Sequence, residues 1–326
     1  MAWRENANIT KLRVRDLDVW GTSNIALLGQ GTTFYVDPTN GAATNGGLSK
    51  DDAVASIETA YGLCTSGAGD NIIVYSAGTT SAGTTSYLTA AITWSKHGIT
   101  VIGMAAPTRM GGRARISTAA TALAVLITVS GNNNAFYNIH VGNYGSDAAA
   151  LGCVKVTGER NYFENCHLLG GGHATPAAET GMYSLWLAAA AENTFVGCTF
   201  GADTITRAAA NGELVLSSQC IRNRFYGCEI ISNSVTAGKG AINLSGASAI
   251  NTHHIFENCA FTNYAPNSAA TALTTVIIGT GPASGHLLLR NCWQSGWAAW
   301  DATTDRVYVA GGTTENAAGG LAVAAH

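Results

Sequence analysis

Charge is scarce in this chain: Asp, Glu, Lys and Arg together make up 11 % of its 326 residues. With 47 % hydrophobic residues beside so little charge, the composition excludes a disordered polymer and can build a core. The net charge of −3 gives no electrostatic footprint for nucleic acid, and only Arg109, Arg113 and Arg115 lie close together. No uninterrupted apolar stretch reaches spanning length, residues 123–129 being far too short, so no membrane is expected. Residues 1–10 hold neither an apolar run nor a small-residue cleavage pattern, and the expectation is a protein made in a cytoplasm without a signal peptide. No CxxC pair or zinc-like His spacing accompanies the cysteines, and no Asp cluster suggests calcium. The expectation is therefore no metal and no cofactor.

What the chain does have is a repeat. Residues 134–139, 161–166, 193–198, 223–228, 254–259 and 287–292 align without gaps, at intervals of about 27 to 33 residues. The third column reads Phe136, Phe163, Phe195, Phe225, Phe256 and Leu289. The fifth reads Asn138, Asn165, Gly197, Gly227, Asn258 and Asn291, and the sixth is Ile139 followed by Cys166, Cys198, Cys228, Cys259 and Cys292. Asn and Gly accept a left-handed backbone cheaply, so the fifth column predicts a sharp bend between two strands. Parallel stacking at about 4.8 Å would lay like side chains over one another in one continuous core. The cysteines then read as buried, reduced thiols filling an interior column, since disulfide geometry is demanding and Cys is often buried unpaired.

Flanking features complete the coil. Apolar triplets precede the repeats, at residues 185–187, 214–216, 242–244 and 276–278. Val141, Leu168, Phe200, Ile230 and Phe261 follow them. These predict two further stacked sheets. Residues 170–182, 201–212, 232–240 and 263–271 become corner loops, rich in Ala, Gly and Thr and almost uncharged. Upstream, residues 33–37 and 71–75 read as strands. Residues 51–63 read as an amphipathic helix through Val54, Ile57 and Tyr61, with a cap offered around Ser49. Residues 306–309 look like a closing strand. The division expected is an N-terminal docking or oligomerisation segment at 1–32, a parallel β-helix domain at 33–310, and a Gly/Ala-rich tail at 311–326.

The segment before residue 33 alternates apolar and charged residues: Leu12, Val14, Leu17 and Val19 among Arg13, Arg15, Asp16 and Asp18, ending at Trp20. Such a strand either covers the first coil or docks onto another chain. The density of charge favours docking through Leu12, Arg13, Val14, Arg15, Leu17, Val19 and Trp20, because charge sets register and partner choice.

Residues 34–41, 45–49, 55–57 and 69–74 resemble the opening of right-handed parallel β-helix proteins, the pectin-lyase-like group. Residues 97–103 and the Asn-x-Phe-x-Asn/Gly-Cys repeats resemble their coils. The resemblance covers roughly residues 33–295 and implies an all-β right-handed parallel β-helix with a short N-terminal capping helix. It leaves activity open, since pectate lyases, phage tailspikes and passive virion proteins share these features.

Catalytic chemistry finds little support. A glycoside hydrolase needs two carboxylates about 5–9.5 Å apart. In the outward column Tyr137, Glu164, Val196, Tyr226, Glu257 and Arg290, the two glutamates stand three rungs apart, about 14 Å by strand spacing. Glu229 is near Glu257 in rung but lies in another column. His140 and His167 form a stacked pair without a third ligand. Glu159, Arg160 and Glu192 read as solvated corners. No catalytic residue is assigned. Tyr137, Tyr162, Tyr226 and Trp293 could form a glycan face or pack against a sister chain. The phage resemblance implies a non-enzymatic bacteriophage virion structural protein: a homotrimeric β-helix on the virion, decorating the capsid and held to other virion proteins, the major capsid protein first among them. The alternative is a short tailspike or adhesin that binds or cleaves a bacterial surface polysaccharide. A secreted pectate-lyase-type enzyme is disfavoured by the missing signal peptide.

Overall fold

The computed structural model describes residues 29–76, 85–105, 113–118, 120–264, 273–280, 284–301, 307–311, 313–315 and 321–323. The expected docking strand from Leu12 to Trp20 lies outside these residues. Among the described residues the chain is nearly all β: a parallel coil with three long faces, whose sheets hold ten, seven and ten strands, with a further two-stranded sheet beside them. In a typical turn, Thr194–Val196 lies in the first sheet, Thr199–Gly201 in the second and Gly212–Ser217 in the third. The next turn repeats them as Arg224–Tyr226, Glu229–Ser232 and Gly240–Leu244.

Register follows the columns of the repeat. Phe136, Phe163, Phe195, Phe225 and Phe256 are Cα partners in succession down the first sheet. Their rings stack at 4.7, 4.9, 4.8 and 4.4 Å, within 12° of parallel. The bend column takes the left-handed conformation expected of it, with φ of 56° at Asn138, 50° at Asn165, 58° at Gly197, 59° at Gly227, 55° at Asn258 and 52° at Asn291. Each Cys after the bend is buried and free. Its Sγ donates to the Phe carbonyl of the turn before, from Cys166 to Phe136 at 3.3 Å through Cys292 to Phe256 at 3.4 Å.

The first column of the repeat has a role that its side chains alone do not announce. Asn134, Asn161, Asn193 and Asn223 are buried at the corner between the third and first sheets. The backbone N–H of each donates to the next side chain up: Asn134 to Asn161 Oδ1, Asn161 to Asn193 Oδ1 and Asn193 to Asn223 Oδ1, all at 2.9 Å. His254 continues the chain, its Nδ1 accepting from Asn223 N at 3.2 Å. The amide groups turn back to corner carbonyls at Gly131, Gly158 and Ala190. These side chains pair backbone amides that would otherwise be buried without a partner, at a cost of about 1–3 kcal/mol each.

Two local expectations need correction. The N-terminal helix spans Ile57–Leu63 and is capped by Ser56, whose Oγ accepts from Thr59 N at 3.3 Å. Residues 49–52 belong instead to a turn in which the Asp52 carboxylate accepts from Gly46 N and Leu48 N. Val54 forms a parallel bridge with Val36. The helix still buries Ile57 and Ala60 against the coil's first strands. The closing strand is present as Val307–Ala310, and Thr313–Glu315 and Leu321–Val323 pair antiparallel after it.

The corner loops carry more electrostatic structure than their composition suggests. Arg207 and Lys239, from two successive loops, converge with Glu213 in the interior, and all three side chains are fully buried. Arg207 Nε lies 2.9 Å and Lys239 Nζ 3.1 Å from Glu213 Oε1. Ser184 donates to Oε2 at 2.7 Å, and Arg207 also bonds the carbonyls of Gly170 and Gly171. Gly201, at φ 88°, makes room, because a Cβ there would sit 2.8 Å from the carboxylate. Burial alone would raise the Glu213 pKa. Arg207, Lys239 and the hydrogen bonds overcome it and hold the carboxyl at about 2. One carboxylate cannot fully serve two cations. Burial, with repulsion from Arg207, therefore lowers Lys239 to about 8 despite its attraction to Glu213.

These features yield two measurable outcomes. Phe195→Ala should cost about 3–5 kcal/mol in urea unfolding, as for other buried aromatics; a cost below 1 kcal/mol would show that the stack does not carry the core. Glu213→Gln should cost about 3–5 kcal/mol at neutral pH by leaving buried cations unpaired. The folded Glu213 pKa lies below its unfolded value, so its contribution is present above about pH 4.5 and is lost as pH falls toward about 2. An acid-unfolding profile identical in wild type and variant would exclude that role.

Candidate functional site

The third sheet presents an outward column in which Thr128, Lys155, Trp186, Val215 and Asn243 are successive Cα partners. The alternation of strands puts Val154, Leu185, Leu214 and Ile242 into the core and this column outside. It forms the floor of a groove of about 550 Å³, walled on one side by residues 180–183 of a corner loop. Gly152 and Tyr183 are register partners, and a Cβ on Gly152 would lie 2.2 Å from the Tyr183 ring. Glycine there lets the tyrosine lie across the neighbouring rung. Tyr183 meets Trp186 edge to face at 5.2 Å, and Lys155 Nζ stands 4.1 Å above the indole. Trp186 Nε1 donates to Ser217 Oγ at 2.7 Å, which fixes the ring in its plane.

The groove combines an aromatic ring with polar side chains. Trp186 is the partly exposed ring, Tyr183 is buried against it, and Lys155, Asn243, Thr128 and Ser245 supply donors and acceptors along the groove. Among the described residues that line the groove, none is Asp, Glu, His or Cys. Its described lining residues therefore offer donors that could orient a ligand. No group of three or more His, Cys, Asp or Glu side chains poised for a metal occurs among the described residues.

The tyrosines singled out by sequence are only partly brought together. Tyr137 and Tyr162 are neighbours on the first sheet, ring centroids 5.7 Å apart, and Tyr162 Oη donates to Glu164 at 2.8 Å. Tyr226 stands two register steps beyond Glu164, with Val196 between. Trp293, 39 % exposed, lies past the Asn291 bend on the second sheet and looks another way. The four do not share one face. Glu164 and Glu257 are three register steps apart, with Glu257 ion-paired to Arg290. The histidine pair is not a surface feature: His140 and His167 are buried, rings 4.7 Å apart, and burial pushes the His140 pKa well down. The physical reason is that Tyr144 and its loop cover that face of the second sheet; Tyr144 Oη lies 3.1 Å from His140 Nε2.

Trp186 and Lys155 were missed because the residues 185–187 triplet was read only for its inward leucines. A signal did exist: an aromatic between two core leucines must point out, and lysine holds the matching place one turn earlier.

No protein-family model and no curated protein matches the sequence. Solved structures do match the fold. A pectate lyase superposes with a TM-score of 0.56 at 18 % identity, over 82 % of this chain and 64 % of the lyase. A deglycosylated pectin methylesterase from Aspergillus niger matches at 0.56 and 14 % identity, over 88 % of this chain and 86 % of the esterase. A rhamnogalacturonan lyase matches at 0.55 and 14 % identity, over 90 % and 78 %. The chain thus spans under two thirds of the lyase that it resembles. At such identities the likeness establishes the architecture that the ladders already describe: a right-handed parallel β-helix of the pectate-lyase kind.

Proposed function

We propose that this chain is a non-enzymatic β-helix that binds a surface polysaccharide through the groove on its third sheet. The observation that carries the reading is the Lys155–Trp186–Tyr183 constellation, a partly exposed indole backed by a buried tyrosine and ringed by polar groups, with no carboxylate among the described lining residues. Flat aromatic rings bury the apolar faces of sugar rings, and rim hydroxyls and amides pair with sugar hydroxyls. The neighbouring folds named for pectate, pectin and rhamnogalacturonan support an extended carbohydrate as the ligand class. A panel of bacterial surface polysaccharides and pectic oligosaccharides, titrated against intrinsic tryptophan fluorescence, tests this. Trp186→Ala should weaken the best binder at least tenfold, about 1.4 kcal/mol, with no new reducing or unsaturated ends released by wild type. Released ends would make the protein an enzyme, and binding indifferent to Trp186→Ala would place the site elsewhere.

The setting we favour is a bacteriophage particle, where the chain would serve as a virion structural protein. The second reading, a passive decorating trimer, draws on a specific feature. Ile255, Leu288 and Tyr308 are register partners that form an apolar outward column on the first sheet, Tyr308 being 53 % exposed. A sister coil would bury such a column, and residues 1–32 would then dock onto other virion proteins, the major capsid protein first. Deleting residues 1–30 should leave a folded β-helix that no longer binds particles lacking the protein. Undiminished binding by the truncated chain would move the contact to the coil surface.

A further inference from the structure

A second outward feature lies at the corner that leads from the third sheet into the first. Three successive turns pass this corner through residues in the left-handed region: Arg160 (φ 55°), Glu192 (φ 58°) and Arg222 (φ 48°). Parallel bridges from Glu159 to Ala191 and from Ala191 to Ile221 hold the corners in register. Two residues further along, Thr194 and Arg224 stand side by side on the first sheet. These five side chains line a depression of about 320 Å³.

The charges do not balance. The Glu192 carboxylate accepts from Arg160 Nε at 2.7 Å and from Arg222 Nε and Nη2 at 3.0 and 2.5 Å. Those bonds, hydrogen bonding to Arg222 foremost, lower its pKa, so it is ionised at neutral pH. Glu159 stands on the rim, 3.9 Å from Arg160 Nη1. Three guanidinium groups therefore face one engaged carboxylate and one distant one. A corner staple needs only Arg160, Glu192 and Arg222. Arg224 is exposed and adds a third guanidinium where two arginines and two glutamates already balance, leaving a net positive charge that an anion would neutralise.

We propose that this depression binds a tetrahedral oxyanion, phosphate or sulfate, free or as an ester on a larger ligand. The guanidinium groups come from two corners and from the sheet and line one depression, and donors of separate origin suit an anion that can accept on several sides. A tetrahedral anion has oxygens for donors from each side, whereas a planar carboxylate is satisfied by one fork. Nothing in this site is shared with the groove of the third sheet, and the proposal stands whether or not that groove binds saccharide.

The test is calorimetric titration of the full chain with inorganic phosphate, sulfate and acetate at one ionic strength held with chloride. Phosphate or sulfate should bind saturably and at least tenfold tighter than acetate. Arg224→Ala should weaken that binding at least tenfold with an unchanged melting temperature, because Arg224 makes no bond within the staple. Glu192→Gln removes the competing negative charge and should raise the affinity. Glucose 6-phosphate distinguishes the source: binding as tight as inorganic phosphate marks an esterified ligand, and weaker binding marks the free ion. The proposal fails if no oxyanion saturates the site, if acetate binds as well, if Arg224→Ala leaves affinity intact, or if Glu192→Gln does not raise it.

Discussion

The buried chain of hydrogen bonds from Asn134 through Asn161, Asn193 and Asn223 to His254 is the constraint on which the coil depends. A parallel coil pairs its strands easily, since each backbone finds the turn below and the turn above. Its weak points are the corners, where the chain keeps only isolated bridges of the ladder and some amides point inward. One side chain per turn, short and both donor and acceptor, resolves this by bonding the next corner's amide as well as a carbonyl behind it. Each link also fixes the rise between turns. The Phe rings 4.4–4.9 Å apart and the Cys Sγ contacts to the preceding Phe carbonyl are spaced by the same backbone. Asparagine here sets register, and the aromatic stack fills the volume that register defines.

Because the interior columns are fixed by packing, the outward columns are free to differ from turn to turn. Binding chemistry on this coil is therefore assembled across turns, from residues about thirty apart in sequence and one strand spacing apart in space. Lys155 and Trp186 meet in this way on the third sheet, and Arg160, Glu192 and Arg222 do so at the corner. A rigid ladder beneath them holds such groups without any loop having to close, so these sites are preorganised by the fold itself.

The interior is not uniformly apolar. Where successive corner loops cross the end of the third sheet, Arg207, Glu213, Lys239, Ser184 and two glycine carbonyls form a sealed polar knot. Desolvation makes such a cluster costly, and its geometry compensates by satisfying each group. Its consequence is positional: the start of the corner loop 170–182, whose far end walls the groove, is tied through Gly170 and Gly171 to the Arg207 guanidinium.

Much of this was written in the sequence. A period of about thirty with Phe, Asn/Gly and Cys in fixed columns determined the parallel coil, its left-handed bends and its buried thiols. Each of those columns answers to one repeated local environment, and repetition makes a local requirement visible. The helix start was misjudged at residue 51 because Asp52 suits a helix's first turn as well as the loop amides that it caps. Tertiary structure alone decided the rest. Outward residues differ in chemistry from turn to turn, so although the register of Lys155 and Trp186 was legible, the groove that the loop wall makes of them was not. The Arg207–Glu213–Lys239 meeting depends on how two irregular loops cross, a path set by contacts between turns and by no pattern within one.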